Sequence, residues 1–403
     1  MPEALIILSA FAAYSLFSKA LARTVLTLPI LFTGLGLALS GSLHGAFPAE
    51  LIHSGKVLLA EATLILVLFA DASHVRFRRL AMNWAPPARM LTIGMPLTIV
   101  LGMLVAYWLD SGSGLAMALL TAAVLTPTDA ALGQAVVVNP AVPERLGQSI
   151  NVESGLNDGL ALPFVLLGAS LASMASGQDI SGAHLALEAV REVIFGALAG
   201  SAVGWGAARA MDWAQRRDLM QVPAGAVLFL LAAFAAYLVA TQIGGNGFIA
   251  AFVAGMTFGN TYRHDIHFIG EFMEGAGQLL TMAAFLVFGA FLLPDGLAHA
   301  GVATVLLSIL FLTIVRMLPI FLSLTGTGMP AREKLFLGWF GPRGLASILF
   351  TLLMMDEFDF PNEAELLACV SLTVALSILL HGVTANPLAR RIGQQVNHKR
   401  KGQ

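Results

Sequence analysis

Apolar residues run along this chain in long blocks, separated by short polar connections from one end to the other. A helix needs about 20 consecutive apolar residues to cross ~30 Å of hydrocarbon, and the blocks repeatedly reach that length. The pattern predicts about thirteen membrane-spanning helices, near 3–21, 24–41, 50–72, 88–109, 113–137, 147–174, 185–212, 221–242, 246–261, 271–293, 299–323, 334–355 and 363–387. The ninth is short and is expected to be tilted or partly re-entrant. The fold class is therefore an all-α integral membrane protein.

Two of the blocks are interrupted in corresponding ways. The fifth contains Thr126-Pro127-Thr128-Asp129 and the twelfth Gly341-Pro342-Arg343-Gly344. Proline removes a backbone donor and clashes with the preceding turn, while glycine tolerates an unwound backbone. Irregular backbone persists at membrane depth only where protein or water satisfies its polar groups. Seven spans separate the breaks, so the two broken helices run in opposite directions, as in inverted-topology repeats whose broken helices cross. Each break exposes a positive half-helix N-terminus and a negative C-terminus. Asp129 is positioned in the sequence to balance the former and Arg343 the latter.

Composition supports the membrane assignment: 57% of the 403 residues are hydrophobic and 11% charged, against about 25% charged in soluble domains. The net charge of −2 offers no basic surface for nucleic acid, and the single cysteine, Cys369, excludes an intrachain disulfide. With the basic tail 389–403 in the cytoplasm, an odd number of spans puts the N-terminus outside. Nearly all of the 22 lysines and arginines then fall in cytoplasmic loops, including Arg23, Arg76, Arg78, Arg79, Arg145, Arg216, Arg217, Arg332 and Lys334. The opposite loops carry acids such as Asp110, Asp179, Asp295, Asp356, Glu357 and Asp359.

Five charges lie inside the apolar blocks: Asp129, Glu153, Asp158, Arg316 and Arg343. Each costs roughly 2.5–3.5 kcal/mol at the centre of a membrane helix, so they must pair with one another or coordinate something. In Asn151-Val152-Glu153-Ser154-Gly155-Leu156-Asn157-Asp158-Gly159, Ser154 and Asp158 share a helix face, as do Glu153 and Asn157. With Thr128 and Asp129 approaching from the unwound fifth span, carboxylate, hydroxyl and freed carbonyls make a hard-oxygen site suited to an alkali cation. No histidine or cysteine cluster accompanies it, so zinc and iron are excluded. Burial favours the protonated carboxylate and a bound cation the ionised one, so proton and cation compete for Asp158. Two other classes fit less well. An intramembrane aspartyl protease leaves Arg316 and Arg343 unexplained, and a cation channel needs filter segments that are absent from the sequence.

Glu153-Ser154-Gly155-Leu156-Asn157-Asp158-Gly159 resembles the Asn-Asp signature of the monovalent cation–proton antiporter-1 family, the NhaP-type sodium/proton antiporters. The likeness extends to Thr126–Ala130, to Asn246–Gly255 and to Gly341–Gly344, in the family's order. The resemblance implies a homodimeric transporter in the cell membrane, not an enzyme and without a cofactor. It implies one transmembrane unit, 1–388, with a dimerisation part about 1–72 and 221–293, a linker helix about 185–212, and an ion-carrying core about 88–174 and 299–388. Asp158 is then the exchanged carboxylate, with Na⁺ held by Asp158, Ser154, Thr128 and Asp129, and Glu153 pairs with Arg316. Asn157 stands where electrogenic relatives carry Asp, which implies electroneutral exchange of Na⁺ or Li⁺ for H⁺; K⁺/H⁺ exchange is the alternative.

Three further features read as structural. Gly196, Gly200 and Gly204 recur every fourth residue and predict close helix packing. Lys56 and Glu61 read as a structural or interface pair in the third span. His264 and His267 read as part of a solvated cytoplasmic loop.

Overall fold

The computed structural model describes residues 2–21, 24, 26–46, 48–75, 84–137, 139, 141–175, 182–264 and 267–401. Arg23, Arg76, Arg78, Arg79 and Asp179, counted above in the loops, lie outside the described residues, as does the side chain of His267. All regular structure among the described residues is helical. Ten helices are long and apolar enough to cross a membrane, and Gly114–Val124 and Gly247–Thr261 are shorter apolar helices.

The first three helices are α1 (Pro2–Leu21), α2 (Leu28–Ala46) and α3 (Ala49–His74). Helix α4 (Ala85–Leu109) contains a π turn at Met90–Gly94. The fifth block divides into α5 (Gly114–Val124) and α6 (Ala130–Val137), with Thr126-Pro127-Thr128-Asp129 unwound between them. Then follow α7 (Glu144–Ala175), α8 (Gly182–Arg216), α9 (Val222–Gln242) and α10 (Gly247–Thr261). Helix α11 begins as His267–Val287 and ends, through a π turn at Phe288–Leu292, as Leu293–Ala298.

The eleventh block, expected to be continuous, bends at Thr313 between α12 (Val302–Leu312) and α13 (Ile314–Ser323). Thr313 has φ −115° and ψ −94°, and its hydroxyl donates back to Ile309 O at 2.6 Å. A β-branched residue bonding its own preceding turn commonly bends a helix. The twelfth block divides into α14 (Ala331–Trp339) and α15 (Leu345–Glu357) around Gly341–Gly344. The last helix, α16 (Glu363–Lys401), carries its helical form through the segment expected to be a tail.

Glycines set the helix spacing. A Cβ at Gly200 or Gly204 would strike the backbone of Ala250 or Ala254, so α8 and α10 touch backbone to backbone. Gly255 and Gly259 bring the other side of α10 against the Phe69 and Ser73 carbonyls of α3 in the same way. Asn246 starts α10 as its N-cap, accepting from Phe248 N at 3.0 Å and Ile249 N at 3.1 Å. The loop after α10 is less open than expected: His264 Nδ1 lies 2.8 Å from Oδ1 of Asp212, a buried residue near the end of α8. The charge on Asp212 needs a partner, and the fold brings His264 to it.

Candidate functional site

The two unwound segments meet. Asp129 N donates to Pro342 O at 2.7 Å, joining the breaks directly. One Asp129 oxygen accepts from Leu132 N at 3.1 Å and the other from Leu345 N at 2.7 Å. A single buried carboxylate thus caps the N-termini of α6 and α15, satisfying donors that have no intrahelical partner. The approach requires glycine at 344, where a Cβ would collide with the Asp129 carboxylate. At the negative end of α5, the fully buried Arg343 donates from Nη1 to Thr126 O and, at 3.2 Å, to Pro127 O. Ser347 adds a bond from Oγ to Val124 O at 2.8 Å.

Beside this crossing, α7 presents Glu153, Ser154, Asn157 and Asp158, all buried. Arg316 forks onto Glu153, Nη1 to Oε1 at 2.6 Å and Nη2 to Oε2 at 2.7 Å, with both residues 2% exposed. Parallel bonds of this kind fix a carboxylate in direction as well as in place. Gly341 makes room for them, since a Cβ there would meet the Arg316 guanidinium. Asn157 Nδ2 donates to Thr128 Oγ1, which lies 3.1 Å from Ser154 Oγ. Asp158 is 7% exposed, and its Oδ1 accepts no hydrogen bond from the protein.

Asp71 of α3 joins this group and was not singled out from the sequence. It stands against Gly155 of α7, whose missing Cβ would lie 3.5 Å from Asp71 O. Its signal was an acid within an apolar block, obscured by lying close to the predicted end of the third span. With Asp71, Asp129, Glu153 and Asp158 opposed by Arg316 and Arg343, four carboxylates face two guanidiniums. Fully ionised, the cluster has two uncompensated negative charges in a low-dielectric interior, a condition that draws in protons or cations.

Glu144, Gln148 and Asn151 are exposed and lie on the same face of α7 as Asp158, at successive turns. Beyond Asp158, Leu162, Val165 and Ala169 continue that face and are fully buried. Asp158 thus follows the exposed polar part of this face and precedes its buried apolar part.

Crossed broken helices and a cluster of buried carboxylates beside them define a secondary-transporter architecture. The chain belongs to the sodium/hydrogen exchanger transmembrane family, which it matches over residues 6–391. It is 26% identical over 346 residues to the K⁺/H⁺ antiporter NhaP of Alkalimonas amylolytica, covering 84% of this chain and 58% of that protein. It is 28% identical over 382 residues to the Na⁺/H⁺ antiporter ApNhaP of Aphanothece halophytica, covering 91% of this chain and 69% of that one. The chain thus spans little more than half the length of some of its curated relatives. The sodium proton antiporter MjNhaP1 of Methanocaldococcus jannaschii, in its structure at pH 8, shares the fold with TM-score 0.76 and 18% identity, covering 98% of this chain and 99% of that one.

Proposed function

We propose that this protein exchanges a monovalent cation, Na⁺ or Li⁺, for H⁺ by alternating access, with both ligands competing for Asp158. The observation that carries the reading is the Asp158 carboxylate itself. It is buried, has an oxygen with no protein donor, and stands one helical turn from Ser154, whose hydroxyl meets that of Thr128. A carboxylate in that setting is stable when protonated or when an oxygen-coordinated cation replaces the proton, and unstable when bare.

Asp158, Ser154 and Thr128 supply the direct oxygens in this scheme, and Asn157 orients Thr128. Asp129, whose two oxygens already cap two helices, contributes chiefly its charge. Asp71, packed against Gly155 of the same helix as Asp158, extends the negative set. Glu153, Arg316 and Arg343 are electrostatic support. The working unit is a homodimer in the cell membrane, with the N-terminus outside and the C-terminus in the cytoplasm. It needs no cofactor. Segments 88–174 and 299–388 form the moving core, 1–72 and 221–293 the dimerisation part, and 185–212 the linker.

K⁺/H⁺ exchange is the second reading, favoured by the K⁺/H⁺ antiporters among the relatives. Na⁺ and K⁺ carry the same charge, so cavity size and ligand number separate them. Purified protein in liposomes, given Na⁺, Li⁺ or K⁺ under an imposed pH gradient, should move protons in response to Na⁺ and Li⁺. Asp158→Asn should reach the membrane and show no cation-dependent proton movement, because an amide cannot alternate between proton and cation. Robust exchange by that variant would refute the scheme, and a response to K⁺ alone would select the second reading.

A further inference from the structure

Outside the carboxylate cluster, one buried titratable side chain has no part in the exchange described above. His381, on α16, is 1% exposed. Its Nε2 lies 2.9 Å from Trp339 O, at the last residue of half-helix α14. Its Nδ1 lies 3.1 Å from Ser377 Oγ and 3.0 Å from Ser377 O, one turn earlier on α16. Ser377 Oγ in turn accepts the Arg343 N–H at 2.7 Å. A carbonyl only accepts, so Nε2 carries the ring proton and donates to Trp339 O. The Ser377 hydroxyl, accepting from Arg343 N, points its own proton at Nδ1.

The two negative half-helix ends are therefore covered by unlike groups. A guanidinium covers that of α5 and an imidazole that of α14. A second tie, Trp339 Nε1 to Thr384 Oγ1 at 3.0 Å, also holds α14 against α16.

We propose that His381 is a positioning residue for ion exchange, holding the unwound segment 340–344 in place and, through it, the Thr128–Asp129 side of the cation site. The connection is continuous. His381 and Ser377 hold Trp339 O and Arg343 N on either side of the segment. Within it, Pro342 O accepts the Asp129 N–H at 2.7 Å, and the Arg343 side chain grips the carbonyls of Thr126 and Pro127. Residue 128, whose hydroxyl meets Ser154, lies between those gripped points. A shift of segment 340–344 therefore moves Thr128 relative to Asp158.

This inference rests on the antiport reading, and its test separates the two. Proteoliposomes give the half-saturating Na⁺ concentration and the maximal exchange rate, and a Na⁺ titration of melting temperature gives cation affinity independently of transport. His381→Ala should raise half-saturation in both measurements on the order of tenfold, the loss expected for one buried hydrogen bond, while the maximal rate stays within about threefold. His381→Gln should restore near wild-type half-saturation, since its amide can donate to Trp339 O and accept from Ser377. If His381→Ala does not reach the membrane, Ser377→Ala, which removes the hydroxyl shared by Arg343 N and His381 Nδ1, should show the same rise. A fall in melting temperature and maximal rate with half-saturation unchanged, or failure of Gln to restore it, would overturn the proposal. Absence of any response to Na⁺, Li⁺ or K⁺ in the wild type would overturn the antiport reading and this proposal with it.

Discussion

Glu153 and Arg316 illustrate how strongly single residues are committed in this interior. Both are almost fully buried, and each is the other's forked partner. Removing one member of such a pair leaves an uncompensated charge and typically costs 3–5 kcal/mol, whereas removing both leaves none. Arg316→Ala and Glu153→Ala should each lower the melting temperature of the purified protein substantially, and the double variant should lose much less than their sum. Additive losses would mean that the two side chains do not interact. From the sequence Glu153 needed a cation, and the family resemblance named Arg316. In the structure Arg316 meets Glu153, and Arg343 lies against the carbonyls at the negative end of α5.

At the scale of elements, the crossing is held by mutual capping rather than by apolar burial. Asp129 serves α6 and α15 at once, with one oxygen for each N-terminus. An amide cannot do this, because its nitrogen would face one of the two backbone N–H groups. Asp129→Asn loses one acceptor and the charge that opposes two helix dipoles, together worth about 2 kcal/mol or more in a buried setting. The expected result is a lower melting temperature even without added cation, and an unchanged one would show that the caps are dispensable. Around the crossing, the glycines of α8 and α10 lock neighbouring helices at backbone contact, a packing foreseeable from the four-residue spacing of Gly196, Gly200 and Gly204. The bend at Thr313 was not foreseeable, since threonine within an apolar run is equally compatible with a straight helix.

For the whole molecule, the charge carried through each cycle decides how membrane voltage acts on it. Asn157 cannot ionise, Asp129 is engaged at both oxygens, and Glu153 is held by Arg316, so one exchangeable carboxylate remains in α7. Exchange should be electroneutral, one cation for one proton. Liposomes held at different potassium-diffusion potentials should show the same initial rate of Na⁺-driven proton movement. A steep dependence on voltage would mean that a second proton is carried. Asp71, close to Asp158 and free of any forked arginine among the described contacts, would be its first candidate carrier, and Asp71→Asn should then abolish the dependence.

Legible from the residues alone were the membrane class, the two broken helices and the acids and arginines that had to be neutralised within them. Each of these is a local property: apolar length, a proline beside a glycine, a charge where hydrocarbon is expected. The choice of partners was not legible. Asp71 meets α7 across a helix interface opened by Gly155, His264 finds Asp212, and His381 braces a carbonyl 42 positions away. A sequence shows that a buried charge or an unwound carbonyl needs compensation. The group that supplies it is decided by which helices cross at that depth, and so by tertiary packing.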